Sequence, residues 1–238
     1  MNELITSLRG GIIISCQAAA GDPTYGPSFM AAFATAAKIG GAVAIRASGA
    51  ADVAAVKQAT GLPVIGIWKH PCADGTGPII TPTVDDAHRL KDAGADIIAA
   101  DVSDRPRPNG LDAVTLINQI RAEVGLPFMA DCANLEEALR AQDAGADIAA
   151  PTMALPAWLG PYEPHLDLLG EMIAALHIPV IAEGQYWDPQ DVERAFAAGA
   201  LAVVIGSAVT RPWLITQRYV ATSRVGRIRT RLHKERDA

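Results

Sequence analysis

The sequence contains few cysteines, and their positions exclude two kinds of stabilised fold. Cys16, Cys72 and Cys132 are the only cysteines in 238 residues, and they form neither a Cys-x-x-Cys pair nor a Cys/His set with zinc-ligand spacing. An odd number of scattered cysteines does not build a disulfide framework or a structural zinc site. We therefore expect reduced thiols and no metal.

Long hydrophobic runs and an excess of positive charge are also missing. Half of the residues are hydrophobic, yet no apolar run is long enough to cross a bilayer, and residues 1–10 lack a secretory hydrophobic region. The formal net charge of −6 gives no support to general nucleic-acid binding. We predict a cytoplasmic protein that binds neither nucleic acid nor membrane. The basic residues from Arg218 to Arg236 are interpreted as the solvated face of a C-terminal helix that begins near residue 212.

What the sequence does contain is a repeated junction between a helical pattern and an apolar run. One series of junctions begins at Gly40, Gly94, Gly145 and Gly199, at intervals of roughly 50 residues. A second series lies between them and carries a proline, at Pro63, Pro127 and Pro179. Glycine suits the left-handed residue that follows a helix, and proline prevents the helix from continuing. Two interleaved series predict about eight strands.

Eight alternating units in a chain of this length predict an α/β fold, a (β/α)₈ TIM barrel forming a single domain over residues 1–238. The predicted strands cover residues 11–17, 42–46, 64–69, 96–101, 128–131, 147–152, 180–183 and 202–206. The alternative is an open doubly wound sheet. That fold normally has a glycine-rich dinucleotide turn after its first strand, where this chain has Ser15-Cys16-Gln17.

Polar residues stand at the carboxyl ends of the predicted strands. In a parallel barrel these ends meet on one face and surround one pocket. Lys69 is a candidate base, and Asp131 and Glu183 are candidates for an acid or an orienting group. Gln17 and Arg46 can donate to an oxygen-rich ligand. For Lys69 the alternative is an ordinary solvated lysine at the end of a strand.

The last two strands end in glycine, which predicts a phosphate site. Gly184 and the pair Gly206-Ser207 allow backbone N–H groups to approach a ligand closely, and the following helix adds the positive end of its dipole. Arg211 could add a charge-assisted contact. The alternative is that these glycines only relieve crowding at the barrel rim.

Eight segments of the sequence, in this order, carry a resemblance to a known family. They are Ser15-Cys16-Gln17, Ala44-Ile45-Arg46, Ile65-Gly66-Ile67-Trp68-Lys69, Ile80-Thr81-Pro82-Thr83, Ala95-Asp96-Ile97-Ile98-Ala99, Met129-Ala130-Asp131-Cys132, Ile181-Ala182-Glu183-Gly184 and Gly206-Ser207-Ala208-Val209-Thr210-Arg211. Between about residues 11 and 211 the sequence resembles the N-acylglucosamine-6-phosphate 2-epimerases, also called N-acetylmannosamine-6-phosphate 2-epimerases. Members of this family interconvert N-acetylmannosamine 6-phosphate and N-acetylglucosamine 6-phosphate in sialic acid breakdown, without a metal or organic cofactor.

The resemblance implies a role for each candidate residue. Lys69 would be the catalytic base and acid, with Glu183 as its partner near the reacting carbon. Three residues would hold the sugar: Gln17, Arg46 and Asp131. The phosphate would be held by Arg211 and by the backbone at Gly184, Gly206 and Ser207. We expect Lys69 to be the main base and Glu183 to orient it, because a carboxylate beside an ammonium stays ionised and is a poor acid.

The departures from the family pattern lie at the rim of the predicted pocket. Ser48 stands where family members commonly carry an acidic residue, and His70-Pro71 follows Lys69. The sixth strand ends in Ala150-Pro151-Thr152 and leads into an unusual loop at 154–158, and Gln185 follows Gly184 where a basic residue is frequent. These changes bear on the acyl group and the sugar more than on the type of reaction.

Two other functions are considered. One is a different phosphate-binding barrel enzyme, such as an indole-glycerol-phosphate synthase or a relative of the ribulose-phosphate epimerases, although the latter should carry metal-binding histidines at strand ends. The other is a non-catalytic barrel that binds a sugar phosphate or a protein. A homodimer is a further expectation, since Trp213, Tyr219 and the arginines of the last helix could form a subunit contact.

Overall fold

The computed structural model describes residues 2–72, 77–154 and 162–223. Its strands are β1 (Gly11–Cys16), β2 (Ala44–Ser48), β3 (Val64–Ile67), β4 (Lys69–Pro71), β5 (Pro78–Ile80), β6 (Ile97–Asp101), β7 (Phe128–Asp131), β8 (Ile148–Ala150), β9 (Ala182–Glu183) and β10 (Ala202–Ile205). Its helices are α1 (Glu3–Ser7), α2 (Pro27–Ile39), α3 (Ala50–Thr60), α4 (Val84–Asp92), α5 (Ala113–Glu123), α6 (Leu135–Asp143), α7 (Leu166–Ala175), α8 (Pro189–Ala198), α9 (Ser207–Thr210) and α10 (Pro212–Thr222).

Eight of these strands form a parallel barrel. Their order around the sheet is β8-β7-β6-β3-β2-β1-β10-β9. The barrel closes just before β9, where Ala149 N–H donates to the Pro179 carbonyl at 3.1 Å and the Ala149 carbonyl accepts from Ile181 N–H at 2.9 Å. The predicted (β/α)₈ fold class is therefore confirmed, with strand boundaries that differ by a few residues.

Three of the four junctions in the glycine series have the predicted backbone geometry. Gly94, Gly145 and Gly199 have φ of +99°, +95° and +105°, in the left-handed region that side chains with a Cβ avoid. At the first junction Gly40 is right-handed, with φ −74°, and Gly41 takes the left-handed conformation instead, with φ +93°.

Helix starts are capped by short polar side chains. Thr83 and Asp86 form a reciprocal capping box at α4, and Asn134 caps α6. These local signals set the alternation of helices and strands.

The strands separate two buried layers. The outer layer packs between the barrel and its helices and includes Phe128, Leu116 and Leu169. The inner layer fills the barrel with side chains such as Ile65 and Ile97. At the amino-terminal end of the strands, α1 and the residue after it place Ile5 and Leu8 against the inner layer, where they are 2% and 0% exposed. This helix was not predicted from the sequence, and it closes the amino-terminal end of the barrel.

A hairpin interrupts the strand predicted at residues 64–69. β3 ends at Ile67, and Lys69 begins β4, which pairs antiparallel with β5 through Lys69 and Ile80. Thr81 anchors the hairpin: its hydroxyl donates to the Ala99 carbonyl at 2.7 Å and accepts from Trp68 N–H at 3.0 Å. Lys69 thus belongs to a short element above the barrel, and the predicted continuous strand is wrong at this point.

The last helix begins where the sequence indicates. α10 starts at Pro212, and none of its residues is buried. The basic residues from Arg224 onward and the loop at 155–161 lie outside the described residues. None of the helices within the described ranges combines the length and the apolar composition that a membrane crossing requires.

Candidate active site

A cavity of about 190 Å³ opens at the carboxyl ends of β1, β9 and β10. It is called the reaction cavity here. Seven of the residues that the sequence singles out line it: Gln17, Lys69, Glu183, Gly184, Gly206, Ser207 and Arg211. They come from distant parts of the chain, so the parallel closure of the barrel is what brings them together.

Arg46 and Asp131 lie beneath this cavity instead of lining it. They are 1% and 0% exposed, and two guanidinium nitrogens of Arg46 bond the two Asp131 oxygens at 3.1 and 2.6 Å. The same guanidinium donates to Glu183 Oε2 at 2.6 Å. These three residues are called the ion cluster. Direct contact of Arg46 and Asp131 with the sugar stays a prediction, while their contact with each other and with Glu183 is part of the structure.

The ion cluster shifts the proton affinity of Glu183. Burial raises the pKa of this carboxyl to about 7, against the opposing attraction of Arg46. One guanidinium charge serves two carboxylates, and Asp131 takes the bidentate contact. For Arg46 itself, burial alone would lower the pKa, but Asp131 and Glu183 outweigh burial and raise it. A pKa near 7 allows Glu183 to carry a proton near neutral pH. The expectation that it stays ionised and orients Lys69 stays a prediction.

Lys69 stands at the mouth of the reaction cavity, on the first residue of the hairpin. Desolvation, which is the largest cause, and repulsion from Arg46 and Arg211 together lower its pKa to about 8, while attraction to Glu183 and Asp131 opposes them. Lys69 is an exposed residue that lines the reaction cavity, so a substrate can approach it there. A lysine with this pKa is a usable base near neutral pH, in contrast to an ordinary surface lysine.

Several contacts hold the hairpin that carries Lys69. His70 Nε2 lies 3.0 Å from Asp86 Oδ1, in the capping box of α4, and the His70 ring stacks on Trp68 at a centroid distance of 5.9 Å. Arg105 donates to the Pro78 carbonyl at 3.0 Å and also to Asp101 at the end of β6. The backbone N–H of Lys69 donates to Ser48 Oγ at 3.3 Å. The base is thus tied to three neighbouring parts of the barrel rim.

The opposite side of the reaction cavity has the features of an anion site. Gly184 and Gln185 both have positive φ, +112° and +60°, and the turn brings their backbone to the cavity wall. Gly206 caps α9, whose first amides have no acceptor within the helix. Thr210 Oγ1 donates to the Ser15 carbonyl at 3.0 Å and fixes α9 against β1. Arg211 also lines the cavity, and its guanidinium forms no ion pair with any residue of the described ranges.

Two polar residues of the site were missed as functional candidates. Thr152 lines the cavity and donates to Asp131 Oδ1 at 2.6 Å; its place at a strand end was the available signal. Ser15 accepts from Gln17 Nε2 at 2.5 Å, which leaves the buried Gln17 Oε1 without a bond to any described residue. That oxygen can accept a hydrogen bond from a ligand. Gln185, Tyr186 and Trp187 also line the cavity; the sequence singled out Gln185 as a departure from the family pattern, whereas no motif pointed to Tyr186 or Trp187.

The histidines that the structure describes are not grouped as a metal site requires. His70, His88, His165 and His177 are not among the residues of the reaction cavity, and His233 lies outside the described residues. Within the described ranges no group of three or more His, Cys, Asp or Glu side chains is arranged to hold a metal ion. This arrangement gives no support to the metal-dependent pentose epimerase alternative.

Comparisons with known proteins agree with the geometry. Residues 30–224 match a family model, NanE, described as "Putative N-acetylmannosamine-6-phosphate epimerase". Two relatives named "Putative N-acetylmannosamine-6-phosphate 2-epimerase" are 38% and 41% identical to this chain. The first, from Caldanaerobacter subterraneus subsp. tengcongensis, matches over 92% of this chain and 93% of its own, and the second, from Thermosynechococcus vestitus, over 92% and 96%.

Solved structures extend the comparison to three dimensions. The N-acetylmannosamine-6-phosphate 2-epimerase from Clostridium perfringens superposes with a TM-score of 0.86 and 36% identity, over 93% of this chain and 97% of that one. A thiamine phosphate pyrophosphorylase from Pyrococcus furiosus superposes with a TM-score of 0.59 and 20% identity, over 87% and 89% of the two chains. The second likeness shows the barrel fold alone.

Proposed function

The chain belongs to the N-acetylmannosamine-6-phosphate 2-epimerase family, and from this premise we propose that its described cavity carries out the family's reaction. The reaction is the interconversion of N-acetylmannosamine 6-phosphate and N-acetylglucosamine 6-phosphate, a step of amino-sugar and sialic acid catabolism. It requires removal of the proton at C2, next to the aldehyde of the open-chain sugar, and its return to the opposite face. The observation that carries the proposal is one cavity lined by Lys69 and Glu183 together with Arg211 and the predicted phosphate-binding residues.

Lys69 acts as the base in this proposal. With a pKa of about 8, roughly one lysine in ten is neutral at pH 7, whereas an unperturbed lysine would be neutral in fewer than about one molecule in a thousand. The neutral amine takes the C2 proton, and the electron pair moves into the carbonyl to form an enolate-like intermediate. Return of a proton to the other face of C2 then gives the epimer.

Glu183 orients Lys69 and can hold a proton during the proton transfer. Its carboxyl is fixed by the 2.6 Å bond from Arg46 and is only 12% exposed. Because its pKa is about 7, it can hold a proton during part of the catalytic cycle. Arg46 acts through Glu183 and contributes positive potential below the site where charge develops on oxygen. In this proposal Arg46 and Asp131 position Glu183, and their direct contact with the sugar stays a prediction.

The anion site binds the phosphate of the substrate. The backbone at Gly184, Gly206 and Ser207 approaches the ligand, and Arg211 supplies the charge. Gln17 Oε1, which has no hydrogen bond to a described residue, accepts a hydrogen bond from a sugar hydroxyl or amide.

For this chain we also keep the prediction of a homodimer through the last helix, where Tyr219 is 75% exposed. Sedimentation equilibrium at several protein concentrations tests it.

Isotope exchange tests the proposed reaction directly. Purified protein is incubated with N-acetylmannosamine 6-phosphate in deuterated water, and the C2 proton of both epimers is followed by NMR. We expect formation of N-acetylglucosamine 6-phosphate together with deuterium at C2. A protein that binds the sugar phosphate without exchange or isomerisation would be a binding barrel, and the proposal would fail.

A further inference from the structure

A second and larger cavity adjoins the reaction cavity. Its volume is about 900 Å³, and it lies among the loop after β1, the start of α3 and the β4–β5 hairpin. It is called the side cavity. Gln17, Lys69 and Arg211 line both cavities, so they form the boundary between the two.

The sizes of the two cavities indicate that the substrate uses both. Ligand sites for small molecules typically occupy about 300–1,000 Å³. The reaction cavity, at about 190 Å³, lies below this range, whereas the side cavity lies within it. The smaller cavity suits the phosphate and the reacting carbons, and the remaining part of the substrate must extend past the boundary.

The lining of the side cavity suits an uncharged, mainly apolar group. It includes the small alanines of two segments, 18–20 and 50–51, and the aromatic residues Trp68 and Tyr25, with Asp52 as its acidic residue. Among its described residues the only lysine or arginine side chains are Lys69 and Arg211, and both belong to the boundary. The phosphate therefore binds in the reaction cavity, because the side cavity has no lysine or arginine among its described residues apart from the two at the boundary.

The chemistry of the substrate selects which group crosses the boundary. C2 carries both the proton that Lys69 removes and the acylamino group, so the acyl chain begins one bond from the reacting carbon. The phosphate on C6 lies at the other end of the sugar, in the anion site. Two of the rim residues that depart from the family pattern, Ser48 and His70, line the side cavity, and two others, Thr152 and Gln185, line the reaction cavity. Part of the sequence difference therefore lies in the cavity next to the reacting carbon.

We propose that the side cavity receives the N-acyl group of the substrate and accepts acyl chains longer than acetyl. The substrate class is then 2-acylamino-2-deoxyhexose 6-phosphates, and it includes compounds whose acyl chain has four carbons. This inference rests on the proposed function, which supplies the position of C2. It adds a specificity site that is separate from the reaction cavity.

The test compares N-acetylmannosamine 6-phosphate with N-butanoylmannosamine 6-phosphate as substrates. We expect kcat/KM for the butanoyl compound to be within tenfold of that for the acetyl compound, because a chain that does not fit costs roughly 10–200-fold per methylene. Turnover of the acetyl compound with a more than tenfold loss for the butanoyl compound would overturn this inference and leave the proposed function intact. Absence of turnover with either compound would overturn both.

A variant that fills the side cavity tests whether the longer acyl chain lies there. Ala50 lines the side cavity at the start of α3, and Ala59 lies exposed near the other end of the same helix. Ala50→Leu should lower the ratio of butanoyl to acetyl kcat/KM at least tenfold, while the matched control Ala59→Leu leaves the ratio unchanged. Ala19→Leu, in an exposed loop of the same cavity, gives a second reading if Ala50→Leu does not fold. A smaller fall of the ratio in the variants, or an equal fall in the control, would contradict an acyl site here.

Discussion

The two ends of the barrel interior are closed in opposite ways. At the amino-terminal end Ile5 and Leu8 close it with apolar side chains. At the carboxyl end the ion cluster closes it, with Arg46 and Asp131 almost completely buried. Burial of an aliphatic side chain stabilises a fold by about 1.5–3 kcal/mol, whereas a buried ion pair gives weak net stabilisation after desolvation. The charged end is therefore explained by what it does to Glu183 and Lys69, and the apolar end by stability alone.

The largest expected effect concerns the base at the charged end. Lys69→Met should lower kcat by about 10²–10⁴ and leave the fold intact, because proton transfer by a placed group contributes that much and no buried partner loses its charge. Lys57, which pairs with Asp96 near the amino-terminal end of the strands at 2.7 Å, is the matched control. Steady-state rates and circular dichroism are measured for both methionine variants. Activity of Lys69→Met within about tenfold of the parent would remove Lys69 from the chemistry.

The ion cluster itself can be broken at its centre. Arg46→Met should lower the free energy of unfolding by about 3–5 kcal/mol, because Asp131 and Glu183 remain buried without a cation. Urea unfolding at pH 7 measures this loss. Arg140→Met is the control, since Arg140 pairs with Asp104 on the surface at 2.6 Å and an exposed pair contributes about 0–1 kcal/mol. Equal effects of the two variants would mean that the buried cluster has no special energetic role.

The apolar end should respond in stability but not in catalysis. Leu8→Ala removes a side chain that is 0% exposed, so we expect a loss of about 2–5 kcal/mol in the free energy of unfolding. The same variant should keep kcat within about threefold of the parent below its unfolding transition, since the two ends are separate sites. Urea unfolding and steady-state kinetics of one preparation give both numbers. A large fall in kcat would show that the ends are coupled.

The phosphate side of the reaction cavity should affect binding more than turnover. Arg211→Ala should raise KM by roughly 10–100-fold and change kcat less, because a charge-assisted contact of about 1.5–3 kcal/mol holds the phosphate equally in the ground and transition states. Arg194→Ala, on the exposed face of α8, is the control. A loss confined to kcat would place Arg211 in the chemical step.

The smallest effect is the pH dependence, and it separates the roles of the two titrating groups. Lys69 is active as a base only when neutral, so kcat/KM should rise by about tenfold per pH unit up to the pKa of about 8 and then level off. If Glu183 has to be protonated, kcat/KM instead falls above pH 8, because its pKa is about 7. Glu183→Gln should retain slow turnover and the Lys69 limb of the profile. Complete loss in that variant, with a fall in the parent above pH 8, would assign proton transfer to both residues.

Local patterns were sufficient for much of the fold and for part of the site. Gly61 and Gly199 mark helix ends because their backbone conformation excludes most other residues, and this constraint is visible in a few consecutive letters. The hairpin at Lys69 was not visible in this way. Its strands have three residues each and depend on Thr81 reaching Ala99, a contact between separate elements. The closure by Leu8 was missed for the same reason.

The sequence by itself determined the alternation of helices and strands that forms the barrel and most of the polar residues that gather at its carboxyl end, because periodicity and helix termination are properties of short segments. Only the tertiary structure decided how deep each polar residue lies. Arg46 is 85 residues from Asp131 and 137 from Glu183 in the chain, and the three meet across the interior from β2, β7 and β9, which are not neighbours in the sheet. Barrel closure therefore pairs two expected sugar ligands, Arg46 and Asp131, with each other beneath Glu183. The physical reason is that burial and pairing set a pKa, and both depend on elements that are remote in sequence.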